Sequence, residues 1–154
     1  MEQNRIALRI PMRWGDMDAY GHINNVEIVR ILEEARVHAF GQPAGTGLPG
    51  DEVAIPVFND LPAGVQILVV EHRIKYLAPL NYRNIPARVE LWVSSLKGAS
   101  ITLAYAIYDP AAGTKCVIAE TVLAFFDAPA AKLLRVAPQH RERLAALVGE
   151  PAFR

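Results

Sequence analysis

Apolar and polar residues alternate in a short stretch near the start of the chain. Between residues 5 and 12, Ile6, Leu8 and Ile10 fall on one face of the chain, and this period of two predicts a half-buried strand. The next segment, residues 15–25, is rich in Gly, Asp and Asn, which is typical of a loop.

The period then changes to that of a helix. The apolar positions that recur at helical spacing are Ile28, Leu32, Ala35 and Ala39. Either Asn24 or Asn25 can cap the start, and Gly41 favours an end after Phe40. The spacing therefore predicts an amphipathic helix of about four turns. Arg36 falls inside its apolar sector, which indicates a buried pairing or an interface.

Residues 41–64 contain five Gly and four Pro, a composition that predicts a long excursion across the surface. Four strand-like segments follow: Val65 to Leu77, Ile85 to Leu96, Ser100 to Tyr108 and Lys115 to Phe126. Their short connections favour an antiparallel meander. Pro138 and Gly149 then bracket a short C-terminal helix. This order of elements is that of an α+β protein.

The composition points to one soluble domain covering residues 1–154. Sixteen basic residues balance sixteen acidic residues, so no overall charge would attract nucleic acid or an anionic membrane. No segment approaches the ~20 apolar residues of a membrane span, and we see no signal peptide. The single cysteine, Cys116, excludes an intrachain disulfide and reads as a small apolar residue. We expect a cytoplasmic protein with neither nucleic-acid nor membrane partners.

Reactive side chains are concentrated in the loop before the helix. Asp16, Asp18, His22, Asn24 and Asn25 all fall within it or at its end. Free backbone N–H groups at a helix start can hold a developing oxyanion, and a nearby carboxylate can attack a carbonyl or activate water. The same residue types are ordinary helix caps and turn formers. Taken alone, the residues slightly favour this structural interpretation.

The run GDMDAYGHINNVEIVRILEEAR resembles the signature of the 4-hydroxybenzoyl-CoA thioesterase family. Its D-x-x-G-H-I-N-N-V core is also similar to plant fatty acyl-carrier-protein thioesterases. Further along, HRIKYLAPLNYRN and SLKGAS resemble the end of that family's second strand and the turn between its third and fourth strands. The resemblance implies a hotdog fold, in which an antiparallel sheet of about five strands wraps a long central helix and a short C-terminal helix follows.

The resemblance also assigns roles within the loop. It implies hydrolysis of an acyl thioester, with Asp18 as the nucleophile or general base and Asp16 as a support of the loop. The backbone N–H near Asn25 would polarise the thioester carbonyl. His22 matches a histidine of the plant enzymes and would assist. Glu33, on the helix, ranks as a distant second base.

The resemblance extends to substrate and assembly. Lys97 and Ser100 match a turn that contacts coenzyme A (CoA), and Arg83 is a similar candidate, although a basic residue in such a turn is more often only solvated. The acyl group would be carried by CoA or by an acyl-carrier protein. The family implies a homodimer or homotetramer with active sites between subunits. No cofactor or metal is expected.

Three other interpretations stay open. The first is a hotdog hydratase or dehydratase acting on acyl thioesters. The second is a metal site for phosphate hydrolysis built from Asp16, Asp18 and His22, which the lack of a third clustered acid weakens. The third is an acyl-binding module without turnover. His72, on one face of a predicted strand, is expected to be an interior or interface residue rather than a catalyst.

Overall fold

The structure is a computed structural model that describes residues 4–43 and 53–153. In chain order the elements are β1 (Ile6–Ile10), α1 (Asn25–Phe40), β2 (Val65–Tyr76), β3 (Ala87–Leu96), β4 (Ser100–Tyr108), β5 (Lys115–Asp127), β6 (Lys132–Leu134) and α2 (Pro138–Ala145). The predicted α+β class, the long helix and the short C-terminal helix are confirmed.

Helix α1 begins and ends where the sequence predicts. The Asn24 side chain caps it by accepting a hydrogen bond from the Val26 N–H at 3.0 Å. Gly41 follows Phe40 with φ of 97°, a conformation that glycine adopts without steric cost. Both signals are local, and the predicted bounds therefore hold.

The strands form one antiparallel sheet in the order β1-β3-β4-β5-β2, and β6 pairs with the end of β5. Short hairpins make β3, β4 and β5 neighbours, as predicted. The simple four-strand meander is wrong for β2, which pairs with β5 instead of β3. Its connection to β3, residues 77–86, contains two prolines and is too long for a tight hairpin. Strand β6 was not predicted from the sequence.

The core lies between α1 and the inner face of the sheet. The buried apolar residues of α1 are Ile28, Ile31, Leu32, Ala35, Ala39 and Phe40. Each large side chain among them contributes about 1.5–3 kcal/mol through burial. The Phe40 ring packs on Phe58, with ring centroids 5.3 Å apart. Val57 and Phe58 are buried, so this end of the predicted surface excursion joins the core; its residues 44–52 lie outside the described residues.

Among the described residues, strand β2 pairs only with β5 and leaves one edge of the sheet open. Its exposed large apolar residues, with the one that follows it, are Leu68, Val69, Val70, Tyr76 and Leu77. An apolar strand with an unpaired edge is a surface that proteins usually cover. Among the described residues, no helix has the length and hydropathy needed to cross a membrane.

Candidate active site

The loop before α1 folds back on itself as a narrow hairpin. The Asn24 N–H donates to the Asp16 carbonyl at 2.8 Å, and the Asp18 N–H donates to the His22 carbonyl at 2.7 Å. Gly21, with φ of 79°, allows the chain to reverse between them. Asp18 and His22 are thus paired at the hairpin tip, roughly 7 Å along the strands from the start of α1.

This hairpin is docked on the segment that follows β2. The Ile23 N–H donates to the Leu80 carbonyl at 2.8 Å, and His22 forms a β-bridge with Asn81. The loop therefore lies at the end of the sheet where β2 ends and β3 begins.

Asp16 holds the loop in place through hydrogen bonds to two arginine residues. It is 1% exposed and accepts hydrogen bonds from the Arg13 N–H (2.8 Å), Arg13 Nε (2.9 Å) and Arg30 Nη2 (3.0 Å). Burial by itself would raise its pKa, but the hydrogen bonds from Arg13 and the charges of Arg30 and Arg13 outweigh burial and lower the pKa below its ordinary value. Asp16 is an ionised, fully engaged carboxylate, unsuited to proton transfer.

Asp18 has a different environment. Its Oδ1 accepts from the Tyr20 N–H at 2.8 Å and from the His22 N–H at 3.1 Å, while its Oδ2 makes no hydrogen bond within the described residues. Asp18 as a whole is half-buried. The backbone therefore fixes its orientation through one oxygen and leaves the other oxygen available.

The start of α1 presents a free donor beside this loop. The Val26 N–H is capped by Asn24, and the N–H groups of Glu27 and Ile28 donate to the Asn24 carbonyl. The Asn25 N–H has no acceptor in the described chain. It lies at the positive end of the helix dipole, where a carbonyl oxygen is favoured. The structure thus brings together Asp18, His22 and the Asn25 N–H.

Arg83 lies near this end of the sheet but has a partner. Its Nε donates to the Asp109 carboxylate at 3.0 and 3.1 Å. The same carboxylate accepts from the Ala111 and Ala112 N–H groups. Burial would raise the pKa of Asp109, but these N–H groups and Arg83 lower it overall. Arg83 therefore stabilises the β4–β5 turn, and contact with a substrate would compete with that role.

Lys97 and Ser100 lie at the opposite end of the protomer. They form the β3–β4 turn, in which the Lys97 N–H donates to the Ser100 carbonyl, and the ten residues of β3 separate this turn from the Asp18 end by roughly 33 Å. Two cations missed by the sequence analysis join the turn. Arg141 donates to the Lys97 carbonyl at 2.7 Å, and the Arg135 guanidinium packs against Gly98. Because Arg135 and Arg141 lie far from Lys97 along the chain, no local sequence pattern indicates this cluster.

Glu33 and His72 are the two remaining polar candidates. His72 is exposed in the described protomer, so the interior position among its two predicted settings is not observed. Glu33 is 67% exposed and lies 3.5 Å from Arg36, so it faces solvent. His72 Nδ1 is 2.9 Å from Thr121 Oγ1. Burial and, secondarily, the charge of Arg36 lower the pKa of His72, with Glu33 acting against them.

The described residues hold no group of three or more His, Cys, Asp or Glu side chains that could bind a metal. The metal-site interpretation therefore gains no support from them. Cys116 is fully buried, and burial is the main cause that raises the pKa of its thiol. A buried thiol with a raised pKa is a poor nucleophile.

A cavity of about 370 Å³ lies on the outer face of the sheet. Arg5, Trp92, Lys115 and the C-terminal segment around Glu150 contribute to its lining. None of its lining residues belongs to the Asp18 hairpin, so the cavity is separate from the candidate active site.

Comparison with known proteins places the chain in a family. Residues 12–144 match the thioesterase-like superfamily, and the chain belongs to that superfamily. No curated protein matches it significantly. The match supports thioester hydrolysis as the general class of activity.

Solved structures share the fold over nearly the whole chain. The PA5185 protein of Pseudomonas aeruginosa is 26% identical, with a TM-score of 0.72 over 97% of this chain and 96% of that one. YbaW, named a probable thioesterase of Escherichia coli, is 23% identical, with a TM-score of 0.71 over 93% and 98%. A Thermus thermophilus thioesterase complexed with coenzyme A and Zn is 21% identical, with a TM-score of 0.69 over 94% and 95%. The predicted hotdog fold is confirmed.

Proposed function

We propose that this protein hydrolyses acyl-CoA thioesters at the Asp18 hairpin. The observation that carries the proposal is that one loop and the helix start it leads into hold a carboxylate oxygen, Asp18 Oδ2, and a backbone donor, the Asn25 N–H, that both lack a hydrogen-bond partner within the described residues. The thioester carbonyl binds at the Asn25 N–H, which stabilises the oxyanion that forms. Asp18, His22 and Asn25 are the catalytic residues of this proposal.

The reaction can follow either of two balanced routes. As a general base, Asp18 takes a proton from water, whose oxygen bonds to the carbonyl carbon as the C–S bond breaks. As a nucleophile, Asp18 first forms a mixed anhydride that water then cleaves. In both routes the thiolate of the leaving group receives the proton, and His22, next to Asp18, assists the proton transfer.

Coenzyme A is the proposed carrier of the acyl group. The Thermus thermophilus relative was solved with coenzyme A, and the cluster of Lys97, Arg135 and Arg141 at the β3–β4 turn offers cations for its phosphates. Because this turn is roughly 33 Å from Asp18 within one protomer, it would serve an active site of another subunit. The proposal thus includes a homodimer or higher homo-oligomer.

The open edge of β2 supports such an assembly. Val69, Val70 and Tyr76 are 44%, 63% and 52% exposed on an edge strand, and pairing with β2 of a second copy would cover them. A monomer at micromolar concentration would contradict the shared-site proposal.

The activity is tested with a panel of short, medium and aromatic acyl-CoA thioesters, with release of free thiol as the readout. We expect hydrolysis of at least one class, with no added metal or cofactor. Tight binding of one thioester without turnover of any would refute the hydrolase and favour an acyl-binding module. Formation of an enoyl thioester from a 3-hydroxyacyl-CoA would instead identify a dehydratase.

A further inference from the structure

A polar cluster of three buried residues and one exposed histidine lies between α1 and the sheet, away from the Asp18 hairpin. It consists of Arg36 on α1, His72 on β2, Tyr105 on β4 and Thr121 on β5. Arg36 is 6% exposed, and Tyr105 and Thr121 are each 0% exposed. His72 and Thr121 are hydrogen-bonded to each other. Arg36 and Tyr105 each have a buried polar atom whose hydrogen bonding is incomplete within the described residues.

Two atoms of this polar cluster are buried and make no hydrogen bond within the described residues, Arg36 Nη1 and Tyr105 Oη. Burial raises the pKa of Tyr105, while the charge of Arg36 and polar contacts with Thr121 and Arg36 act against that rise. These contacts fall short of hydrogen-bond geometry at Oη. Arg36 does have an ion pair with Glu33, but its 3.5 Å distance and the exposure of Glu33 make it weak. An unpaired buried donor is costly, and most proteins avoid one.

The chemistry of these two groups defines what would satisfy them. A guanidinium has only donors, and a phenol hydroxyl donates one hydrogen bond. An oxygen acceptor placed between Arg36 and Tyr105 would pair with both. A carboxylate would form the strongest pair with Arg36 because the hydrogen bond is charge-assisted.

The position of the polar cluster relates it to the Asp18 hairpin. Arg36 comes eleven residues after Asn25, which places it on the same helix stripe, within roughly 20°, and about 16 Å along the axis. On β2, His72 lies four residues before Tyr76, where the strand ends near the hairpin, a distance of about 13 Å. The polar cluster is therefore a similar distance from the Asp18 hairpin whether the distance is taken along α1 or along β2.

Partly buried apolar residues lie between Asn25 and the polar cluster. Val29 follows Asn25 by one helical turn, and Ile74 lies on the same β2 face as His72. The β2 side is accessible, because His72 is exposed and Tyr76 is 52% exposed. An acyl chain whose carbonyl binds at Asn25 would extend along this path toward Arg36.

We propose that the polar cluster is a specificity-determining subsite for an acyl group that carries an oxygen atom far from its thioester, as in an ω-hydroxyacyl or ω-carboxyacyl chain. Arg36 and Tyr105 donate hydrogen bonds to that oxygen. The subsite rests on the proposed function, since the acyl chain is placed by its carbonyl at Asn25.

The test compares CoA thioesters of equal chain length that end in a methyl, a hydroxyl or a carboxylate group, over a series of medium lengths. We expect kcat/KM to be about tenfold higher for the oxygen-bearing ends at the best length, since paired donors replace unsatisfied ones. Tyr105→Phe removes only the hydroxyl and should reduce this preference. Tyr108→Phe, on the same strand but the opposite face of the sheet, is the matched control and should keep it.

Arg36→Met provides a second variant, with its folding checked by thermal unfolding. Equal kcat/KM for the three ends, or equal losses for all three in Tyr105→Phe, would overturn the subsite while leaving thioester hydrolysis intact. If no thioester is hydrolysed, the proposed function fails, and the subsite is then judged by calorimetry with non-hydrolysable S-alkyl-CoA analogues. A terminal carboxylate that tightens binding about tenfold supports the subsite, and equal Kd values refute it.

Discussion

The buried carboxylate of Asp16 provides a test of how the catalytic loop is held. Asp16→Asn keeps the side-chain shape and one acceptor oxygen but turns an amide toward the Arg13 and Arg30 guanidinium groups. The charge of the Arg13 guanidinium, which is 65% exposed, is screened by solvent, whereas Arg30 is 27% exposed and its partner Asp16 is 1% exposed. A hydrogen bond to a charged group contributes about 1.5–3 kcal/mol, so we expect the free energy of unfolding to fall by about 2–3 kcal/mol.

The pH dependence of this loss has a defined sign. The pKa of Asp16 is lowered in the folded protein, so its stabilisation is fully present above the unfolded-state pKa of about 3.9 and is lost as pH falls through the lower folded-state pKa. The difference between wild type and Asp16→Asn should be constant near neutral pH and shrink only below about pH 4.

Urea unfolding followed by circular dichroism measures this difference at each pH. Asp127→Asn is the matched control, because within the described residues the Asp127 side chain accepts only a long 3.4 Å hydrogen bond, from the Ala130 N–H. The control should change stability by less than about 0.5 kcal/mol. Equal midpoints for Asp16→Asn and wild type at pH 7, or a difference that grows in acid, would refute the anchoring role of Asp16.

Three further changes have defined outcomes. Asn24→Ala removes the α1 cap and should lower the free energy of unfolding by about 1 kcal/mol in the same urea assay; no change would contradict the capping role. Lys97→Ala together with Arg141→Ala should raise KM for a CoA thioester several-fold and leave KM for the same acyl group on a short pantetheine thiol unchanged, whereas equal changes would exclude phosphate contact. Val69→Glu should shift the mass measured by light scattering from oligomer to monomer, and an unchanged mass would place the interface away from β2.

Local signals explain why much of the fold could be predicted from the sequence. The cap at Asn24, the glycine at position 41 and the helical spacing between them all act within a few residues. The hairpin between β3 and β4 follows from its short turn in the same way. The strand order could not be read from such signals, because the pairing of β2 with β5 depends on the path of residues 77–86.

The same distinction between local and long-range contacts applies to the candidate site. Asp18, His22 and Asn25 are close in sequence, and the hairpin keeps them close in space. The partnership of Arg83 with Asp109 was missed because 26 residues separate them. The neighbourhood of Arg36 and Tyr105 depends on the packing of α1 on β4, which no local pattern shows.

The central claim is that Asp18 carries the hydrolysis, and its most direct test is kcat of Asp18→Asn on the best acyl-CoA substrate. The amide oxygen can still accept hydrogen bonds from the Tyr20 and His22 N–H groups, so the hairpin and the unfolding midpoint should be retained. Loss of the general base or nucleophile should lower kcat by about 10²–10⁴-fold. A folded Asp18→Asn variant with near wild-type kcat would contradict the account.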